Sequence, residues 1–231
     1  MISRRALLLA TVALIAILAL PHTAWAHNVS KRDAGFVQST HGVAIAPFIY
    51  LGAKHMVTGY DHLAFLVGVI FFLYRLKDIV TYVSLFTIGH SLTLLGGVLF
   101  NVRANSYIID AIIGFSVVYK AFDNMDGFRR LFGFEPNTKV AVLIFGLFHG
   151  FGLATKLQEL DLARNGLVTN IVSFNVGVEI GQVVALTAVL ILLTFWRTRP
   201  GFIKYSFATN TALMVVGFVL VGYQLVGYSL S

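Results

Sequence analysis

The sequence predicts an all-α fold, a polytopic membrane bundle of six transmembrane helices that follows a cleaved signal peptide. Hydrophobic residues make up 58% of the 231 residues and charged residues 12%, whereas soluble proteins average about 45–50% and about 25%. The mean hydropathy is +0.83. The apolar residues form long runs instead of short segments that alternate with a period of two, which favours helices over a barrel.

The first 26 residues have the pattern of a secretory signal peptide. Two arginines precede the apolar run 6–20, and an A-x-A cleavage site ends at Ala26. The alternative is an uncleaved first transmembrane helix. Cleavage would make His27 the new N-terminus, where its α-amino group and imidazole could together chelate a metal; the alternative is a histidine that stands there by chance.

Residues 27–60 are predicted to form a periplasmic arm and an interfacial helix, and residues 61–231 a single transmembrane domain. The arm covers 27–46, which is polar and mixed, and the interfacial helix covers 47–57. Six apolar segments follow. We predict membrane crossings near residues 61–74, 79–100, 106–122, 139–154, 168–195 and 203–228.

Lysine and arginine concentrate in alternate connections between the predicted spans. The connections after the first, third and fifth spans carry Arg75, Lys77, Lys120, Arg129, Arg130, Lys139, Arg197, Arg199 and Lys204. The positive-inside rule assigns these connections to the cytoplasm, so both ends of the mature chain are predicted to be periplasmic, in a bacterial inner membrane. This distribution accounts for the net charge of +7, and no nucleic-acid partner is expected.

Three potential metal ligands, His55, Asp61 and His62, stand directly before the first apolar run. In a continuous helix the two histidines would share a face, whereas a helix break at Gly59 would let the side chains converge. The chain has no cysteine, so a metal would bind His, Asp, Glu, Asn, backbone or water. Such nitrogen and oxygen ligands suit Ni²⁺, Co²⁺, Zn²⁺ or Cu²⁺ better than Mg²⁺ or Ca²⁺. The alternative makes both histidines interfacial and Asp61 a helix cap.

Ionisable residues inside membrane spans are costly, so each is a candidate site residue. Several lie on the periplasmic side of the predicted midplane, at one depth. The candidate metal ligands at this depth are His55, Asp61, His62, His90, His149 and Glu179. The alternative is that these polar groups only join helices by hydrogen bonds, with His90 and Glu179 as a pair. Asp110 is assigned to the interface or to a pair with Arg103.

Four further polar residues are predicted to support the ligands from a second layer. Ser91 and Thr93 flank His90 and could orient its ring. On the fifth span, Asn175 and Gln182 stand four residues before and three residues after Glu179, so the three form one polar stripe.

With these residues assembled, the chain resembles the HupE/UreJ family of membrane proteins. The run His55-x5-Asp61-His62, with Gly59, resembles the H-x5-D-H signature of the family. The segments GHSLT at 89–93, FHG at 148–150 and FNVGVE at 174–179 are also similar. The resemblance implies a nickel or cobalt permease. Family members with an F-H-G-x-A-H-G run have a second histidine at the position of Leu153. The usual proline is replaced by Met56 in this chain. The resemblance therefore does not fix which metal is bound.

The leading functional hypothesis is a permease for a divalent transition metal ion, which is captured at the periplasmic-side site. The sequence has no phosphate-binding G-x-x-x-x-G-K-[ST] loop, so transport would be facilitated or ion-coupled. One alternative is a membrane-embedded metal-dependent hydrolase with Glu179 or Asp61 as general base. Another is a metal-binding accessory subunit. The expected partners are the metal ion and the lipid bilayer, and the oligomeric state is left open.

Overall fold

The computed structural model describes residues 31–159 and 165–231, so the predicted signal peptide and His27 lie outside the described residues. Within these ranges all regular elements are helices, which confirms the all-α prediction. In chain order they are α1 (Lys31–Ser39), α2 (Ile45–Thr58), α3 (Tyr60–Ile70), α4 (Leu76–Leu99), α5 (Ser106–Asn124), α6 (Gly127–Phe132), α7 (Thr138–Gln158), α8 (Leu167–Arg197) and α9 (Phe202–Leu230).

Four of these helices, α4, α7, α8 and α9, are long and apolar enough to cross a bilayer. They correspond to the second, fourth, fifth and sixth predicted spans. The third predicted span corresponds to α5, which has 19 residues and carries Asp110, Lys120 and Asp123. The first corresponds to α3, which has only 11 residues.

Gly59 separates α2 from α3 and breaks what would otherwise be one helix. Its backbone is extended, with φ −73° and ψ 101°. Its amide donates to the carbonyl of His55 at 2.9 Å, and its carbonyl accepts from the amide of Leu63 at 3.0 Å. The same glycine therefore ends one helix and begins the next, and the two halves meet at the predicted metal-binding motif.

Three helix pairs pack closely along their lengths: α2 with α8, α4 with α7, and α5 with α9. Glycines allow this approach, because a Cβ atom on Gly177 would overlap the carbonyl oxygen of Ile49, and one on Gly150 that of His90. The order of the contacts shows that α2 and α8 run in the same direction, as do α4 and α7. The pair α5 and α9 is antiparallel.

The last turns of α3, α5 and α8 lie together at one end of the bundle. Arg197 donates hydrogen bonds to the carbonyls of Ile70 and Phe71, and the side-chain amide of Asn124 donates to the carbonyl of Gly68 at 2.8 Å. This end also carries the basic connections singled out above, and we call it the basic end. At the opposite end, the start of α8 contacts the loop before α2. The Asn170 amide donates to the carbonyl of Gly42 there, at 2.8 Å.

Two apolar clusters fill the bundle, one toward each end. The outer cluster, toward the opposite end, includes Phe48, Met56, Leu94, Leu153, Ile171 and Phe174. The inner cluster, toward the basic end, includes Phe65, Leu66, Val69, Phe86, Val142 and Phe145. The helix break and the buried histidines lie between the two clusters.

Candidate metal site

His62 lies at the centre of a group of four histidines from four helices. Its ring centre is 5.2 Å from that of His55, 5.9 Å from that of His90 and 4.7 Å from that of His149. The rings of His62, His90 and His149 are at most 1% exposed, and His55 is half-buried. The structure therefore brings together the four histidines that the sequence analysis placed at one depth.

The helix break positions three of the predicted ligands. His55 lies in the last turn of α2, whereas Asp61 lies in the first turn of α3. A cation near the C-terminal end of a helix and an anion near an N-terminal end are both stabilised by the helix dipole. A site at this junction thus combines a carboxylate, two imidazoles and the two helix ends.

Asp61 fixes the ring of its neighbour His62. The Asp61 Oδ1 and His62 Nδ1 atoms are 3.1 Å apart, and both side chains are buried. A carboxylate that accepts from one imidazole nitrogen orients the ring and leaves the other nitrogen to face an ion. In this arrangement the Nε2 atom of His62 is the one suited to bind an ion.

Ser116 on α5 contacts His149 in a similar way, and the sequence analysis did not identify it. Its hydroxyl oxygen lies 3.2 Å from His149 Nε2, and it also donates to the carbonyl of Ile113 at 2.6 Å. Ser116 is fully buried. The signal in the sequence was a hydroxyl inside an apolar run, between Phe115 and Val117.

Two phenylalanines of the inner cluster form the floor of the histidine group. The ring centre of Phe86 is 6.2 Å from that of His62, 6.0 Å from that of His90 and 5.1 Å from that of His149. Phe65 lies 5.3 Å from His149. These rings lie between the polar layer and the basic end.

The close packing of α4 and α7 holds His90 and His149 in register. The Thr93 hydroxyl donates to the carbonyl of Leu147 at 2.6 Å, across the two helices. Gly150 lies directly against the carbonyl of His90. Thr93, predicted to orient His90, thus has a positioning contact with the helix of His149.

The other predicted supporting residues bond to one another between α4 and α8. The Asn175 amide donates to the Ser91 hydroxyl at 2.9 Å. The Gln182 carbonyl oxygen accepts from the Thr87 hydroxyl at 2.7 Å. We call these two bonds the α4–α8 seam, and the sequence analysis identified three of its four residues.

Glu179 does not share the burial of the other candidate ligands. Its side chain is exposed, while Asn175 and Gln182 on the same helix are buried. The predicted stripe is therefore divided, with Glu179 on the outward edge of α8. Asp110 is buried, and its carboxylate lies 3.1 Å from the Lys156 ammonium, so its ion-pair partner in the structure is Lys156 and not Arg103.

The group has the donor atoms of a transition-metal site, and three of its four histidines are buried. Among residues 31–159 and 165–231, no three His, Asp or Glu side chains converge closely enough to hold one ion between them. The rings meet edge to face, at interplanar angles of 77° for His55 with His62 and 83° for His62 with His149. Ligation by several histidines would require some of these rings to turn toward a common point.

A model of the HupE/UreJ protein family matches residues 31–231. Neither a curated protein nor a solved structure matches the chain. The family match includes the helix break and all four histidines of the group. Together with the four apolar helices, it identifies the chain as a multi-pass membrane protein of the HupE/UreJ family.

Proposed function

We propose that the protein is a permease for a divalent transition metal ion, with nickel or cobalt as the first candidates. The observation that carries the proposal is the buried contact of His62 with His90 and His149, three imidazoles from three helices, beside a helix break. Imidazole is a preferred ligand of these metals. Membership of the HupE/UreJ family links the chain to nickel or cobalt transport.

The proposed topology has six crossings, with the basic end in the cytoplasm. Here α2, which the sequence analysis predicted to be an interfacial helix, acts together with α3 as one broken first crossing, because α2 packs lengthwise along α8 and runs in the same direction. Broken helices are a common way to expose helix ends to an ion inside a transporter. The basic connections then satisfy the positive-inside rule for a bacterial inner membrane, and residues 1–26 are removed as a signal peptide.

The proposed ligands are His62, His90 and His149, with His55 on their periplasmic side and Asp61 beside His62. His55 is half-buried and touches Phe174 of the outer cluster, at 6.1 Å between ring centres. It is therefore the group that an ion from the periplasm would meet first. When the rings of His55 and His62 turn toward the ion, their nitrogens replace water molecules of its hydration shell.

The ligand set favours d-block ions because imidazoles outnumber carboxylates. Leu153, where some family members have a second histidine, is fully buried in the outer cluster. That cluster covers the histidines on the periplasmic side with apolar side chains. Purified protein is expected to retain Ni²⁺, Co²⁺, Zn²⁺ or Cu²⁺; stoichiometric Mg²⁺ or Ca²⁺ without any of these would contradict the proposal.

The size of the space beside His62 favours transport of an ion over hydrolysis of a peptide or lipid. The cavity that His62 lines has about 10 Å³ of free space, which is the room that about one water molecule needs. A hydrolase would have to admit a segment of its substrate to the same point. An accessory subunit that only binds metal would share the site but would not move the ion.

The decisive experiment is uptake of Ni²⁺ or Co²⁺ into sealed proteoliposomes that contain the purified protein. The parent protein is expected to accumulate the ion, and His62→Ala to abolish the uptake. His41→Ala, at an exposed histidine outside the group, is the matched control and should behave like the parent. Binding without uptake by the parent would favour the accessory role, and turnover of a peptide or lipid would favour the hydrolase.

A further inference from the structure

A small cavity lies beside the histidine group, on the side of the group that faces the basic end. On α3 its lining extends from His62 to Val69, a distance of about 10 Å at 1.5 Å per residue. On α4 it reaches from Phe86 to Tyr82, and on α8 it is lined by Gln182. The cavity thus lies between the central histidine and the inner apolar cluster, and with room for about one water molecule it is not an open passage in this conformation.

Among the described residues that line the cavity, Gln182 is the one with an amide side chain, and most of the others are apolar. It is 2% exposed, and its oxygen accepts from Thr87 at 2.7 Å, while its nitrogen lies 3.5 Å from the carbonyl of Val83. A dehydrated cation in apolar surroundings is very costly without oxygen or nitrogen ligands. Along this cavity, Gln182 supplies the first amide oxygen inward of His62.

The contacts within the helix pairs on either side of the cavity differ from the contacts between the pairs. The pairs α2–α8 and α4–α7 are each held by glycines against the neighbouring backbone. By contrast, the seam between α4 and α8 is joined by side-chain hydrogen bonds, Asn175 to Ser91 and Thr87 to Gln182. Side-chain hydrogen bonds can be exchanged for bonds to water when a seam opens, so the α4–α8 seam is where the two pairs would separate as units.

We infer that this cavity is the inward half of the ion path, and that Gln182 binds the divalent cation after it leaves His62. The inference rests on the proposed permease function and adds a transit site to it. Tyr82 marks the inner limit of the cavity on α4. Separation of the α2–α8 pair from the α4–α7 pair opens the path to the basic end.

The first test compares Gln182→Leu with the parent in the Ni²⁺ uptake assay and in equilibrium dialysis against Ni²⁺. The variant should bind Ni²⁺ within about twofold of the parent, because the histidine group is intact. Its uptake rate should fall at least about tenfold, the low end for loss of a supporting group at a metal site. The matched control is Gln224→Leu, a buried glutamine on α9, which should leave both quantities unchanged.

The two possible failures give different results. A parent that binds Ni²⁺ but does not take it up overturns the permease itself. If the parent takes up Ni²⁺ and Gln182→Leu does so at the same rate, the permease stands and the path through Gln182 is overturned. If Gln182→Leu lost Ni²⁺ binding as strongly as it lost Ni²⁺ uptake, the inference would also be overturned, because Gln182 would then belong to the capture site.

Cysteine accessibility gives a second readout that does not depend on the rate of uptake. Because the chain has no cysteine, single variants need no further change. Val83→Cys lines the cavity, whereas Ile88→Cys is at a position 59% exposed on the outside of α4, at the middle of this helix. A charged methanethiosulfonate applied from the basic end should modify Val83→Cys faster than Ile88→Cys, and Ni²⁺ should slow the reaction. Equal rates for the two variants, or no effect of Ni²⁺, overturn the inference.

Discussion

The imidazole of His62 on α3 lies 4.7 Å from that of His149 on α7, with the two rings at 83° to each other. The two residues are 87 positions apart in the chain. Their contact joins the helix break to the α4–α7 pair. A change at either ring is therefore expected to affect metal binding by the whole group.

Removal of the central ring should have the largest effect on metal binding. His62→Gln retains a polar side chain but loses the imidazole, and we expect its affinity for Ni²⁺ to fall by at least about 10-fold. Equilibrium dialysis on purified protein measures this change, and gel filtration reports whether the variant is folded. An unchanged affinity in a folded variant would remove His62 from the site.

Gly59→Ala tests whether the helix break is shaped around the ligands. A Cβ atom at this position would lie 3.0 Å from His62 Nδ1 and 3.3 Å from Asp61 Oδ1, so both side chains would have to shift. We expect weaker Ni²⁺ binding, by about 10-fold, because the carboxylate would no longer orient the ring.

Gly96→Ala on α4 is the matched control for this glycine. A Cβ atom there would have only the edge of Phe100 near it, at 4.0 Å. Its Ni²⁺ affinity should stay within about twofold of the parent, and its stability should rise by about 0.5–1 kcal/mol, because alanine favours the helix. Equal affinities for Gly59→Ala and Gly96→Ala would refute the role assigned to the break.

Ser116→Ala tests the contact that orients His149. The substitution removes the hydroxyl 3.2 Å from His149 Nε2 and leaves the helix intact. The expected loss of Ni²⁺ affinity is about 10–100-fold, the range for groups that position a ligand. Ser173→Ala is the control, since that serine is also buried but donates to the carbonyl of Thr169 on its own helix, at 2.7 Å.

The carboxylates of Asp61 and Glu179 should contribute differently to Ni²⁺ affinity. Asp61 is buried beside His62, whereas Glu179 is exposed on the outward edge of α8. Asp61→Asn is expected to lower Ni²⁺ affinity by at least about 10-fold. Glu179→Gln should change it by no more than about twofold, as for other substitutions away from a site. If the same dialysis showed a larger loss of Ni²⁺ affinity for Glu179→Gln than for Asp61→Asn, Glu179 would be a ligand.

Lys156→Met should destabilise the fold, because it removes the ammonium 3.1 Å from the buried carboxylate of Asp110. Loss of one partner from a buried ion pair costs about 3–5 kcal/mol. Arg129→Met breaks an exposed pair with Glu135, whose side chains are 72% and 69% exposed, and should cost at most about 1 kcal/mol. Melting temperatures of the detergent-solubilised proteins compare the two, and similar values would show that the Asp110 pair is not structural.

Local properties of the sequence determined the helices and most of the histidine group. Hydropathy and run length are properties of neighbouring residues, so the predicted spans agree with helices in the structure to within several residues. The depth of a residue follows from its position along a span. For that reason His62, His90 and His149 could be placed in one layer before their contact was known. The helix break was one of two alternatives, because glycine permits either backbone.

The rotation of each helix about its axis was decided only by the tertiary structure. Glu179 is four residues after Asn175 and so lies about 40° further round α8. Glu179 therefore faces outward, because Gly177 and Gly181 lie on the opposite side of α8 and pack against α2. The contacts of Ser116 with His149 and of Lys156 with Asp110 likewise join helices that are distant in sequence. Hydropathy sets how deep a side chain lies, but the packing of glycines against neighbouring backbones sets which way it faces.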